Sequence, residues 1–209
     1  MKDFAKGVFK FVGVIVLLAA IAAGVLYGFF VKVLEVGHNG MAPTMVLGDQ
    51  VLVWKTQELG LGEVALCGHP QQPGVYVLGR VVGRRGQIVG MERGALTING
   101  ESPEVDTRGV VAFEDAELGR TLRMRYAYER ILTHDHPIFW REDGEPRMRR
   151  PHTVRGGLFL MNDNRTHRGE DSRTYGEVAE ESCVGRVFLR LTAAETPAEI
   201  GNAALDIIE

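Results

Sequence analysis

The sequence predicts a mainly β domain behind one N-terminal membrane-spanning helix. An uncharged apolar segment fills residues 11–31, and the rest of the chain alternates short apolar runs with turn residues. Glycine is frequent, with 26 among 209 residues, which favours tight turns over long helices. Hydrophobic residues make up 45% of the chain, which is enough to build a buried core.

The segment at residues 11–32 is predicted to be the membrane helix, after a cytoplasmic N-terminus at residues 1–10. About 20 apolar residues are needed to cross the hydrocarbon core of a bilayer. Lys2, Lys6 and Lys10 precede the segment, so the positive-inside rule places the main domain on the extracytoplasmic side of the membrane. A cleaved signal peptide is the alternative, but the apolar run extends beyond the length of an ordinary signal-peptide core.

Short strands are predicted after the membrane segment. Val51–Trp54 follows a Gly-Asp turn, and Asn99-Gly100 is a dipeptide typical of two-residue hairpin turns. Residues 101–155 are more highly charged and have a weaker pattern, so we interpret them as an inserted β-rich subdomain. The predicted core therefore consists of residues 33–100 together with residues 156–192.

The tail at residues 193–209 is predicted to carry a short amphipathic helix. Thr196-Pro197-Ala198-Glu199 is a capping box with proline at the first helical position. The apolar residues that follow recur at helical spacing: Ile200, Ala203, Ala204, Ile207 and Ile208. A helix this short needs a surface to pack on, either its own domain or a protein partner.

Composition argues against several classes of function. The net charge of -3 and the pI near 6.1 predict no nucleic-acid surface. Cys67 and Cys183 lack metal-ligand spacing; they are small buried apolar residues or, outside the cytoplasm, a disulfide pair, and spacing does not decide between these. His134-Asp135-His136 lacks a further ligand and is interpreted as a polar surface strand. No metal and no cofactor is predicted.

Four sequence blocks follow one another in a diagnostic order. They are Gly40–Met45 with Gly48–Val53, then Gly62–Leu66, then Arg80–Gly86, and finally Asn162–Arg165 with Asp171–Arg173. Together with the apolar N-terminal segment, they resemble bacterial type I signal peptidase, a single-pass membrane serine/lysine peptidase of family S26, over most of residues 10–190. The resemblance implies a signal-peptidase-like β fold at the bacterial inner (cytoplasmic) membrane, where the family removes signal peptides during protein secretion.

Both residues of the family's catalytic dyad are missing. Gly40 stands at the position of the serine nucleophile, and Gly79 stands at the position of the lysine base. In the family, desolvation lowers the pKa of the lysine so that it can take the serine's proton, and glycine supplies neither group. Lys55, the one lysine after Lys32, lies where family members often carry a lysine without a catalytic role. We therefore expect no catalytic residues.

The resemblance also assigns the positions around the vacant dyad. The groove and oxyanion region is expected to contain His38, Met41, Pro43 and Tyr76. The residues that form the family's structural signature remain: Gly48, Asp49, Arg80, Asp163, Asn164, Arg165, Asp171, Ser172 and Arg173. The glycine that opens the last block in the family is replaced here by Asn162.

Three functions are compatible with this pattern. The first is a pseudo-peptidase that binds extended or signal-peptide-like segments, because strand addition uses main-chain pairing and not the dyad. The second is a structural subunit of a membrane complex, docked through its tail helix. The third is an active signal peptidase that uses non-standard or partner-supplied residues. A groove with small apolar pockets near Met41 and Tyr76 favours the binder, and a groove filled by His38 or by the insertion favours the subunit.

Overall fold

The structure is a computed structural model that describes residues 11–18, 21, 24, 28–167, 171–192 and 204–208. Residues 1–32 and residues 33–209 form two compact units. In the first unit, the described residues up to Phe30 are helical. No helix among the described residues is long and apolar enough to span a membrane.

The end of the predicted membrane helix is two residues too late. Val31 and Lys32 already belong to the first strand, Val31–Glu35. This strand contains two β-branched valines, which favour an extended backbone. Several positions of the predicted span, at residues 19–20, 22–23 and 25–27, lie outside the described residues.

The second unit is mainly β, as the sequence predicts. Its described strands are β1 Val31–Glu35, β2 Gln50–Trp54, β3 Val64–Gly68, β4 Tyr76–Gly83, β5 Ile88–Glu92, β6 Ala95–Ile98, β7 Glu104–Asp115, β8 Arg120–Ile131, β9 His134–Arg141, β10 His152–Thr153, β11 Phe159–Met161, β12 Cys183–Thr192 and β13 Asp206–Ile207. A single-turn helix, α1, spans Ser172–Tyr175, and 3₁₀ turns span Asn39–Met41 and Glu180–Ser182.

The strands form three sheets. The largest has the order β1-β2-β12-β3-β4-β11, with β13 also pairing with β12. The second has the order β10-β5-β6, and the third has the order β7-β8-β9. The third sheet lies within the predicted insertion, residues 101–155. β10 also belongs to this stretch of sequence, but it pairs with β5 of the core.

The sheet β7-β8-β9 packs on the chain segment that leads into β2. Phe113, Met124 and Phe139 from this sheet form one buried cluster with Ala42 and Val46. The position of the missing nucleophile therefore lies at the base of the insertion, where apolar burial fixes the two regions against each other.

Cys67 and Cys183 form a disulfide. They face each other on the neighbouring strands β3 and β12, and both side chains are buried. The structure thus decides the question that spacing left open. Structural disulfides of this kind persist in oxidising compartments outside the cytoplasm.

The predicted tail helix is wrong where the structure describes the tail. Asp206 and Ile207 form β13, which pairs with Arg190 and Leu189 of β12. Ile208 enters the core, whereas Ile207 is exposed, so the two residues do not share an apolar face. Beyond the end of β3, the same edge of β12 pairs with β13. These main-chain hydrogen bonds favour a strand over a short helix that is only marginally stable. The capping box, Ile200 and Ala203 lie outside the described residues.

Candidate functional site

The position of the missing serine lies in a buried 3₁₀ turn. Asn39, Gly40 and Met41 form this turn, and His38 caps it because its Nδ1 accepts a hydrogen bond of 2.9 Å from the backbone N–H of Gly40. The backbone N–H of Gly40, the residue predicted to stand at the family's nucleophile position, is therefore hydrogen-bonded to an imidazole. The family's nearby oxyanion region thus contains a proton acceptor in this chain.

The turn between β7 and β8 covers this 3₁₀ turn. The Asn39 side-chain Nδ2 donates to Asp115 at 2.9 Å, and the Asn39 backbone N–H donates to the Glu117 carboxylate. Glu117 also lies 3.3 Å from Nε2 of His167, whose ring stacks on His38 at 5.5 Å between centroids. The insertion therefore contributes two carboxylates to the vacant active site.

The space at Gly40 is already filled by two side chains. A Cβ atom built on Gly40 meets the His38 ring at 2.7 Å and Nδ2 of Asn162 at 2.9 Å. Gly40 does not have a positive φ, so a side chain at residue 40 is limited not by the backbone but by the ends of the His38 and Asn162 side chains, which would have to move. Asn162 stands at a position predicted to be glycine in the family. Its side chain therefore lies where a side chain at residue 40 would be.

The amide of Asn162 is buried without a hydrogen-bond partner among the described residues. The residue is 0% exposed, and neither its side-chain nitrogen nor its side-chain oxygen is hydrogen-bonded. An unsatisfied buried polar group costs about 1–3 kcal/mol. Asn162 thus occupies the serine's space at a cost in stability.

The position of the missing lysine is closed as well. Gly79 lies in β4 opposite Ala65, again without a positive φ, and a Cβ built there meets Cβ of Leu160 at 2.8 Å. A Cβ contact this short requires a backbone shift, because Cβ of Leu160 is not the mobile end of a side chain. The segment from Leu160 to Asn162 therefore closes both dyad positions.

The family's structural signature surrounds the closed site as a buried charge network. Arg80 binds Asp163 through two hydrogen bonds of 2.9 and 2.8 Å, and both side chains are 0% exposed. Thr44 donates to the same carboxylate, and Nη1 of Arg80 donates to the carbonyl of Gly62. Burial alone raises the pKa of Asp163, but the charge of Arg80 outweighs it and holds that pKa below its usual range.

The insertion joins this network through β8 and β9. Arg165 pairs with Glu129, and His136 lies 3.3 Å from Glu129 and 4.0 Å from Asp163. Burial and the nearby charge of Arg80 lower the pKa of His136, while the charge of Arg165 lowers the pKa of Glu129 against the opposite effect of its burial. The interpretation of His134-Asp135-His136 as a surface strand is therefore wrong for His136, which is 1% exposed.

The closing block is held by its own side chains. Asp171 caps α1 at Arg173, receives both arms of the Arg173 guanidinium and accepts from the Asn162 backbone N–H. The Ser172 hydroxyl accepts from the N–H of Leu160 at 2.9 Å. The backbone N–H of Asn164 donates to the carbonyl of Gly40 at 2.9 Å. These bonds hold the Leu160–Asn164 segment against the predicted dyad positions.

The remaining signature residues shape the approach to β2. A cis peptide bond precedes Pro43, Gly48 adopts a positive φ of 89°, and Asp49 accepts from the N–H of Val46. Arg190 of β12 was missed by sequence reasoning, although it is buried, donates to the carbonyl of Thr44 and pairs with Asp206. Register shifts around Leu189 turn Arg190 inward, and no sequence pattern marks such a bulge.

Two of the expected groove residues differ in their exposure. Met41 is fully buried, whereas Tyr76 is 51% exposed at the start of β4. Along β4, β3 pairs with Val77, Leu78 and Gly79 on one edge. On the other edge, β11 reaches only from Gly83 to Arg80, so no described strand covers Val77–Gly79 there.

The described serines and Lys55 lie in different surroundings. Lys55 follows β2, and its backbone lies against Gly185 of β12. Ser172 is used as an acceptor for the main chain, and Ser182 donates to the carbonyl of Ala179. Ser102 is exposed beside the start of β7. Ser172 and Ser182 therefore each bond to a main-chain group in these contacts.

Comparison with known proteins supports the family assignment. The family model described as "Signal peptidase, peptidase S26" matches residues 8–192. No curated protein matches the chain closely enough to count as a relative. The matched span contains the dyad positions, the buried Arg80–Asp163 pair and the closing block, so the chain belongs to the signal peptidase family S26.

Proposed function

We propose that this protein is a membrane-anchored, non-catalytic member of the signal peptidase family that holds extended or signal-peptide-like segments at the outer face of the bacterial inner membrane. The membrane anchor is supported by the uncharged apolar segment at residues 11–31 and the lysines before it. The disulfide between Cys67 and Cys183 supports an extracytoplasmic domain.

One observation carries the loss of catalysis: the dyad positions are not merely empty but packed. A serine at residue 40 would need His38 and Asn162 to move, and a lysine at residue 79 would need Leu160 to move. An enzyme that had lost only its reactive groups would retain space for them. Close packing of both positions favours a protein whose stable state excludes the reaction geometry.

Peptide binding is supported by the second edge of β4. Val77, Leu78 and Gly79 have no strand partner there among the described residues, but all three are buried, so a segment pairs with this edge only after the residues that cover it move aside. An extended segment that adds to this edge pairs with main-chain groups and needs no nucleophile. Because Met41 is buried, we expect this recognition to depend more on main-chain pairing than on a pocket at Met41.

The loss of catalysis is tested by incubating the full-length protein in detergent with a pre-protein that carries an Ala-x-Ala cleavage site. We expect no cleavage by the native chain or by Gly40→Ser/Gly79→Lys, because the two new side chains meet His38, Asn162 and Leu160. Cleavage by the native chain would disprove the proposal and establish the active-peptidase alternative.

Binding is tested with an extended signal-peptide-like peptide and two N-methylated forms of it. Each form is methylated at alternate residues, in one of the two possible frames, so only one form blocks the main-chain donors that face β4. We expect one frame to lose at least about tenfold in affinity, since several hydrogen bonds of about 1 kcal/mol each are removed, while the other frame binds like the parent. Equal binding of both frames, or no binding of the parent, contradicts strand addition.

A second candidate function, a subunit of a membrane complex, is favoured by an apolar cleft. The cleft has a volume of about 540 Å³, and Val64, Val187, Leu189, Ile207 and Ile208 contribute apolar surface to it. Ile207 is 72% exposed at its border. Ile207→Ser is the test: a stable partner recovered with the native protein in gentle detergent should be lost from the variant, while peptide binding at β4 persists.

A further inference from the structure

The loss of the serine creates an Asn-Gly pair inside the former active site. Asn39 precedes Gly40, and Asn-Gly is the dipeptide in which a backbone nitrogen most readily attacks the preceding side-chain amide, because glycine does not hinder the approach. The chain contains a second such pair, Asn99-Gly100, in an exposed hairpin turn. Both asparagines accept a main-chain N–H on Oδ1, Asn99 from Ile88 at 2.9 Å, so the inference rests on His38 at the Gly40 nitrogen and on Asp115 at Nδ2 of Asn39.

All three reacting groups of the Asn39-Gly40 pair are held by hydrogen bonds. The nucleophile is the Gly40 nitrogen, and its N–H donates to Nδ1 of His38 at 2.9 Å. The carbonyl oxygen under attack is Oδ1 of Asn39, which accepts from the backbone N–H of Leu47 at 2.9 Å. The leaving nitrogen, Nδ2 of Asn39, donates to Asp115 at 2.9 Å.

This arrangement has the parts of an acyl-transfer site. A base contacts the proton on the nucleophile, and a main-chain donor is aimed at the oxygen on which negative charge develops. The geometry points to Asn39 as a self-modification site, at which the chain converts Asn39-Gly40 to a cyclic succinimide without another protein. His38 is the positioning residue and base of this step, and Leu47 supplies the oxyanion donor.

The step balances within the chain. A bond forms between the Gly40 nitrogen and Cγ of Asn39, and the bond between Cγ and Nδ2 breaks. His38 takes the proton from the Gly40 nitrogen, and one proton returns to the departing amide nitrogen, which leaves as ammonia. One water molecule then opens the ring at either carbonyl and gives aspartate or isoaspartate at residue 39. No oxidant, metal or cofactor is consumed.

The conversion changes how the insertion is held. Neutral Asn39 donates to Asp115, and its backbone N–H donates to Glu117. A carboxylate at residue 39 cannot donate to Asp115 and places a third negative charge beside these two acids, which repel it. The turn between β7 and β8 is thereby released from the former active site. The inference does not depend on peptide binding at β4.

The full-length protein in detergent, kept at neutral pH, provides the test. Peptide mapping by mass spectrometry should show a loss of ammonia at Asn39, followed by a gain of water, at a rate at least about tenfold above that at Asn99, as expected for a positioned base. In urea, where neither pair is positioned, the two rates should converge. If residue 39 remains asparagine while residue 99 converts in the folded protein, the proposal fails.

The matched variant is His38→Gln, whose amide oxygen can still accept from the Gly40 N–H but cannot take its proton. We expect conversion at Asn39 to slow by at least about tenfold while conversion at Asn99 is unchanged. An unchanged rate at Asn39 in a folded variant would overturn the role of His38. Hydrogen exchange in residues 115–118 should rise in step with conversion in the native protein, and exchange that is independent of conversion would contradict release of the turn.

Discussion

The predicted dyad positions, Gly40 and Gly79, carry no side chain, whereas the signature network around them is built from charged side chains. At Gly40 and Gly79 the reactive side chains are gone, and the space is taken by His38, Asn162 and Leu160. In the network, the Arg80–Asp163 pair remains complete and fully buried. The two predicted dyad positions therefore offer no reactive side chain, whereas the network pairs its buried charges.

The difference follows from the cost of a change in each region. Removing a serine or a lysine from an active site takes away function but can leave the fold intact. Removing one partner of a buried ion pair leaves an uncompensated charge in the interior, at a cost of about 3–5 kcal/mol. Folding stability alone is therefore enough to maintain the network. Selection for peptidase activity is not needed.

The largest effect is predicted for Asp163→Asn. The variant leaves the Arg80 guanidinium buried without its counter-ion and weakens the bond from Thr44. We expect the free energy of unfolding of the full-length protein in detergent to fall by about 3–5 kcal/mol, as measured by chemical denaturation.

Asp135→Asn is the matched control for that substitution. Asp135 binds Arg130 through two hydrogen bonds, but both side chains are about half exposed. Such a pair contributes about 0–1 kcal/mol. If the two variants were equally stable, the buried network would not be the element that holds this fold.

The closed lysine position predicts a smaller effect. Gly79→Ala places a Cβ at 2.8 Å from Cβ of Leu160, and overpacking of this kind costs about 1–3 kcal/mol. Gly156→Ala is the control, because a Cβ there meets nothing within 4 Å and its φ is not in the left-handed region. Thermal unfolding that is the same for both variants would show that residue 79 has room for a side chain.

How far the sequence predicts this molecule depends on which interactions are local. The β class and the family follow from residue types in order, and the family assignment is confirmed by the match over residues 8–192. The absence of the dyad at Gly40 and Gly79 stays a prediction from the same order. The tail helix was wrong because Asp206 and Ile207 pair with a strand that only tertiary structure brings to them. The filled dyad site depends equally on tertiary structure, because His38 and Asn162 are far apart in the chain and meet only around Gly40.

A double-mutant cycle tests whether Asn162 replaced the serine side chain. Gly40→Ser should destabilise the native background, since its Cβ lies 2.9 Å from Nδ2 of Asn162. In the Asn162→Gly background, which restores the family's glycine, the same substitution should cost less. We expect a coupling energy of about 0.5–3 kcal/mol from denaturation of the four proteins. A coupling energy of zero would mean that His38 alone closes the site.

The smallest effect concerns pH and the part of the network that the insertion supplies. Burial and Arg80 lower the pKa of His136 below its unfolded value of about 6.5, so the unfolded state binds a proton that the folded state does not. The stability that neutral His136 contributes is therefore present above about pH 6.5 and is lost as the pH falls below it, with a slope of at most about 1.4 kcal/mol per pH unit.

His136→Gln should flatten this slope between about pH 7.5 and 5, whatever its effect on stability at neutral pH. The window isolates the histidine because Asp163 and Glu129, whose pKa values are also lowered, contribute stability that is lost only below about pH 4. Denaturation curves across this window decide the matter, and a native slope in His136→Gln would mean that the pKa of His136 does not differ between the folded and unfolded states.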